Sequence, residues 1–99
     1  MSATPAREAR RIVITGSVQG VGYRWNMVQQ AQRLGLTGWV RNRRDGSVEA
    51  VACGGDEALA ALIAWSRIGP TGAQVKQVHV ERPTLREDLG ERFIQLTTV

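Results

Sequence analysis

Apolar and polar residues recur along the chain with two different periods. Arg10-Arg11-Ile12-Val13-Ile14-Thr15 is rich in β-branched residues and predicts a strand. Over residues 23–34, Tyr23, Met27, Ala31 and Leu34 recur at helical spacing, and Gly35 supplies a C-terminal stop. Residues 36–42 and 47–53 predict a second and a third strand, joined through Asp45-Gly46, a strong hairpin signal. Gly54-Gly55 breaks the third strand, and Asp56 is placed to cap a second helix. That helix runs to about Ile68, with Leu59, Leu62, Ile63 and Ser66 on one face and Ala58, Ala61 and Trp65 beside it. Gly69-Pro70 ends it. Residues 75–81 predict a fourth strand, with Val78 and Val80 facing one way, and residues 93–98 a last one. Phe93 and Ile94 are adjacent and must point to opposite sides, so the inward face of this last strand stays open. Residues 1–9 read as a frayed tail and 83–90 as polar connection.

Strand, helix, strand, strand, helix, strand is the split βαβ pattern. It predicts an α+β fold, a ferredoxin-like βαββαβ sandwich. Two helices cover one face of a mostly antiparallel sheet, and a short C-terminal strand is added. Residues 10–99 are expected to form a single domain. The chain has 99 residues, 42% hydrophobic and 22% charged, as ordinary soluble domains do. Cys53 is the only cysteine, which excludes a disulfide scaffold. No apolar run approaches the roughly 18 residues of a membrane span, and the basic N-terminus lacks the apolar stretch of a secretory signal. The expectation is a cytoplasmic protein with no membrane partner and a monomer as the default state.

The net charge is +4, and all but one of the thirteen basic residues are arginine, the exception being Lys76. Arginine suits planar, bidentate oxyanions such as phosphate and carboxylate, although such a composition can equally be a genome's habit.

The segment from Gly16 to Arg24, GSVQGVGYR, sharpens the picture. It joins a strand to a helix and carries three glycines in its first seven residues. Glycine lets backbone N–H groups approach an anion closely. The spacing is neither a Walker loop nor GxGxxG, and alone it is compatible with a tight turn. The two helix starts separate these readings. The second helix begins Asp56-Glu57, so its own carboxylates face its orphan N–H groups and dipole. The first begins Gly22-Tyr23-Arg24-Trp25, with no Ser, Thr or Asp cap and no acid as far as Leu34. Water could satisfy those N–H groups. An exogenous anion would do so more strongly, with Arg24 adding a fixed positive charge. The candidate anion site is therefore Ser17, Val18, Gln19, Gly20, Val21, Gly22, Tyr23 and Arg24.

Acids, bases and nucleophiles are scarce. His79, the only histidine, lies on a strand, and Cys53 at a strand end has no basic neighbour in sequence. No His/Cys/Asp spacing suggests a metal, and no cofactor motif is present. A site with phosphate-binding parts and no obvious base favours substrates with easy leaving groups. An acyl phosphate expels a carboxylate, which needs no proton, through a loose transition state that positioning and charge can stabilise. A neutral polar group would still have to hold the water. Asn42, at the end of the second strand, can both donate and accept, though a turn residue before Asp45-Gly46 is the simpler reading of it.

Gly16-Ser17-Val18-Gln19-Gly20-Val21-Gly22-Tyr23-Arg24 resembles the signature of the acylphosphatase family, in its single-domain bacterial and archaeal type. Gly35-Leu36-Thr37-Gly38-Trp39-Val40-Arg41-Asn42 with Asp45-Gly46-Ser47-Val48-Glu49 resembles its second block. Gly69-Pro70 with residues 75–81 resembles the third. The likeness spans about residues 10–98. It implies a metal-independent hydrolase that cleaves carboxyl–phosphate anhydrides to carboxylate and inorganic phosphate, the latter also an inhibitor. It further implies that the loop amides and Arg24 hold the phosphoryl group, that Asn42 orients the attacking water, and that no protein base is needed. A free-standing domain of this kind is expected to be an enzyme.

Two other readings compete. RNA-recognition modules share this topology and stack bases on sheet aromatics. Here Trp25 and Trp65 fall on predicted helices, and the RNP1 pattern is missing, so nucleic acid is the disfavoured partner. Arg41, Arg43 and Arg44 are then a solvated face or a field drawing anions toward Asn42 and Arg24. A regulatory domain binding a phospho-ligand without turnover is the third reading. It would not need a water-orienting amide.

Overall fold

The computed structural model describes residues 7–83 and 90–99. The first strand, β1 (Glu8–Ser17), is longer at both ends than its β-branched centre predicts. Glu8 and Ala9, expected in the tail, pair with Gly54 and Cys53. At the other end the strand crosses an irregularity between Thr15 and Gly16, and Ser17 still pairs with Gln74. Gly16 makes this continuation possible. Its φ is 120°, and a Cβ there would lie 2.2 Å from the Gln74 carbonyl oxygen.

The remaining elements are α1 (Tyr23–Arg33), β2 (Thr37–Asn42), β3 (Val48–Gly54), α2 (Asp56–Ser66), β4 (Gln74–Glu81) and β5 (Phe93–Gln95). The strand order is β4-β1-β3-β2-β5. The β1–β3, β1–β4 and β2–β3 pairs are antiparallel, and β5 runs parallel to β2. The α+β sandwich expected from the element order is the one formed. Among the described residues no helix is long and apolar enough to cross a membrane.

Alternation decides which face each strand buries. Ile12, Ile14, Val40, Val48, Ala50 and Ala52 are fully buried under the helices. They meet Met27 and Ala31 of α1 and Leu59 and Leu62 of α2. Phe93 is fully buried and Ile94 is 45% exposed, which settles the face of the last strand. β5 is shorter than predicted. Beyond Gln95 separate backbone bonds follow, from Leu96 N–H to Val40 O, from Val99 N–H to Asn42 O and from Arg44 N–H to Val99 O.

Two expectations at helix ends are corrected. The N-cap of α2 is Gly55, not Asp56, and it makes no side-chain cap bond. α2 stops at Ser66 because the chain turns there, with Ile68 and Gly69 N–H donating back to Trp65 O. Of the polar connection after β4, residues 84–89 lie outside the described residues.

The face away from the helices carries a row of charges across the sheet. Glu81 of β4 pairs with Arg11 of β1. Arg11 also pairs with Glu49 of β3 at 2.7 Å, and Glu49 with Arg41 of β2 at 2.8 Å. The Arg41 guanidinium lies 4.6 Å from the centroid of the Trp39 ring. Burial alone would raise the pKa of Glu49, but hydrogen bonds and charge from Arg41 and Arg11 outweigh it and hold the carboxyl below its ordinary range. This lattice of ion pairs is not a platform of stacked aromatics.

Candidate active site

The loop between β1 and α1 is fastened before it can bind anything. Val18 is fully buried in the core. The Gln19 side-chain amide donates to Arg43 O at 2.8 Å and to Ser47 O at 2.9 Å. Those carbonyls belong to the β2–β3 hairpin, whose tip is itself braced. Asp45 Oδ1 accepts from Ser47 N at 2.9 Å and from Ser47 Oγ at 2.6 Å, and these two bonds hold the Asp45 carboxyl below its ordinary pKa. The Asp45-Gly46 turn read from sequence therefore docks the loop as well as reversing the chain. Tyr23 anchors the far end. Its ring is 2% exposed, its hydroxyl donates to Ser66 O at 2.7 Å, and burial pushes its phenol pKa well up.

Between these anchors Gly20 and Gly22 take left-handed φ values of 78° and 76°. Gly22 is the N-cap of α1, with no side-chain cap bond and no acid in the first turn. The first helical bond runs from Asn26 N–H to Gly22 O, and the Asn26 side chain donates to the same oxygen at 2.8 Å. The amides of Tyr23, Arg24 and Trp25 precede that bond. Helix geometry directs such amides out of the N-terminal end, where the dipole is positive.

A pocket of about 120 Å³ opens at this end. Val18, Gln19, Gly20, Gly22, Tyr23, Arg24 and Asn42 line it, together with Trp25 and Gln95. Arg24 and Asn42, eighteen positions apart in the sequence and on different elements, thus share one cavity with the loop. Val40 is fully buried under the helices, and Asn42, two residues on, points to the same side at the strand end. Its backbone is held by Val48 on one edge and by Val99 N–H on the other. Arg24 Nη1 donates to Leu96 O at 3.3 Å, and among the described residues no carboxylate pairs with it. Its other N–H donors can serve an oxyanion.

Not every candidate residue is gathered there. Ser17 lies in β1 against Gln74, and Val21 packs on the core; neither lines the pocket. The side chains of Gln19 and Tyr23 are engaged elsewhere, so their contribution to the pocket is positional. Gln95 was not anticipated, and no signal near it in sequence points to the site. The parallel pairing of β5 with β2 carries it there. His79 and Cys53 lie away from the pocket, and among the described residues no three His, Cys, Asp or Glu gather as metal ligands.

Comparison with known proteins identifies the family and the fold. The family model described as Acylphosphatase matches residues 10–94. An acylphosphatase of Thiobacillus denitrificans is 58% identical over 78 residues, 79% of this chain and 82% of that one. The structure of an acylphosphatase from Coxiella burnetii superposes with a TM-score of 0.84 at 33% identity, covering 91% of this chain and 93% of that one. That of an acylphosphatase from Bacillus subtilis does so with a TM-score of 0.83 at 34% identity, covering 89% and 97%. A cationic, glycine-lined helix start facing a strand-end asparagine, on this fold and with these relatives, places the chain in the acylphosphatase family.

Proposed function

We propose that the protein hydrolyses the carboxyl–phosphate bond of acyl phosphates, with the loop amides and Arg24 holding the phosphoryl group and Asn42 orienting the water. The observation that carries this reading is the convergence of Arg24, Asn42 and the uncapped start of α1 on one pocket. The phosphoryl oxygens accept from the amides of the loop and the start of α1, through Arg24, and from the guanidinium. Charge spread over these oxygens in a loose transition state is met by a preorganised array of donors. The Asn42 amide accepts from the water and aims its lone pair at phosphorus. The new P–O bond forms as the P–O bond to the acyl group breaks. The electron pair leaves with the carboxylate, and the water proton passes to a phosphate oxygen. A carboxylate leaving group needs no general acid, which fits a pocket lined by neither His nor Asp nor Glu. The positive charge comes from Arg24 and the helix dipole, so the reaction is expected to proceed without a metal.

The test is turnover of benzoyl phosphate by the purified protein in the presence of a chelator. Turnover competitively inhibited by inorganic phosphate is expected. Folded protein that leaves the uncatalysed rate unchanged would overturn the reading.

A further inference from the structure

The reading above uses only the phosphoryl end of the substrate. Four large hydrophobic residues stand exposed among the described residues: Trp25, Ile68, Ile94 and Val99. Of these, only Trp25 borders the pocket that holds Arg24 and Asn42. It is 61% exposed and follows Arg24 in the first turn of α1. The other large apolar residues of the lining, Val18 and Tyr23, are buried and belong to the core. The lining is therefore polar apart from one accessible aromatic side chain. Trp25 is not part of the core cluster, and it occupies a first-turn position where an acidic residue would serve the helix better. Its exposed surface would be relieved of water by an apolar group leaving the phosphate site.

We infer that Trp25 is a specificity-determining residue that contacts the acyl group of the substrate and favours aromatic or extended apolar acyl phosphates over acetyl phosphate. This rests on the hydrolase reading, with the phosphoryl group among the amides and the acyl group at the pocket rim. A small acyl group such as acetyl offers little surface to the indole, whereas a benzoyl ring can pack against it.

The experiment compares kcat/KM for benzoyl phosphate and acetyl phosphate in the wild type, Trp25→Ala and Trp25→Phe. Trp25→Ala is expected to lower the benzoyl-to-acetyl ratio about tenfold, chiefly through KM, and Trp25→Phe to restore most of it. An unchanged ratio overturns the inference, whether the two activities persist or fall together. If Trp25→Ala does not fold, Trp25→Gln read against Trp25→Phe gives the same ratio. A wild type that hydrolyses neither substrate defeats the hydrolase reading itself. That result is distinct from an active enzyme whose ratio ignores residue 25.

Discussion

The two helices of this protein have the same length and begin differently. Each has 11 residues, a glycine N-cap and no side-chain cap bond. α2 enters from extended backbone at Gly55, and Asp56 and Glu57 fill its first turn. α1 enters from left-handed backbone at Gly22, and its first turn holds Arg24 and no acid. α2 thus neutralises its own dipole, while α1 leaves positive potential facing the pocket and adds a cation to it. A carboxylate in a first turn stabilises a helix by about 0.3–1 kcal/mol. α1 lacks that contribution where an anion from outside could take the same place. The helix start less suited to its own stability is the one that faces the pocket where the proposed phosphate site lies.

The contrast can be broken most severely at Arg24. Arg24→Gln is expected to lower benzoyl phosphate turnover by about 10³-fold and to weaken inhibition by inorganic phosphate, both read by steady-state kinetics. Residual phosphate affinity should persist, because the amides and dipole of α1 remain. Asn42→Ala should lower kcat by about 10²-fold and leave the phosphate inhibition constant within roughly twofold. Equal weakening of phosphate inhibition by both substitutions would show that the division of roles is wrong.

Next in size is a change remote from both helix starts. Glu49→Gln should cost about 2 kcal/mol near neutral pH, because it leaves Arg11 and Arg41 without their shared carboxylate. The folded-state pKa of Glu49 is depressed, so its contribution is present above the ordinary glutamate pKa and is lost as pH falls through the depressed value. Denaturant unfolding at several pH values should show the wild-type advantage shrinking toward acid, with phosphate inhibition unaffected. An advantage constant with pH would show that the charge of Glu49 does not carry its contribution to the sheet.

The smallest effects come from exchanging the two helix starts. Trp25→Glu, read against Trp25→Gln, should raise the inhibition constant for phosphate about fivefold and stabilise the fold by about 0.5 kcal/mol. Asp56→Asn with Glu57→Gln should lower Tm by about 4 °C and leave phosphate inhibition alone. If an acid in α1 proved harmless to phosphate, the contrast would carry no meaning.

Much of this was legible in the sequence because the signals are local. The helical spacing of Tyr23, Met27 and Ala31 set α1, and all three are buried. The missing acid and cap at Gly22 were visible as such. Contacts between distant segments were not legible. No local pattern says that the Gln19 amide will bind two hairpin carbonyls, or that Leu96 O will hold Arg24. The extension of β1 through Ser17 depends on a close approach of Gly16 to Gln74 that only the folded sheet reveals. Phe93 and Ile94 are equally apolar in sequence, and their faces are decided by the register of β5 on β2. Trp25 was visible, but its place at the pocket rim was not.

The most direct measurement is a titration of the labelled protein with inorganic phosphate, followed by backbone amide NMR shifts. Saturable shifts largest between Gln19 and Arg24, with the amides of Asp56 to Leu59 unmoved, are expected from the contrast between the helices. Shifts centred on the start of α2 or on the charged face of the sheet, or none at phosphate concentrations that inhibit turnover, would contradict it.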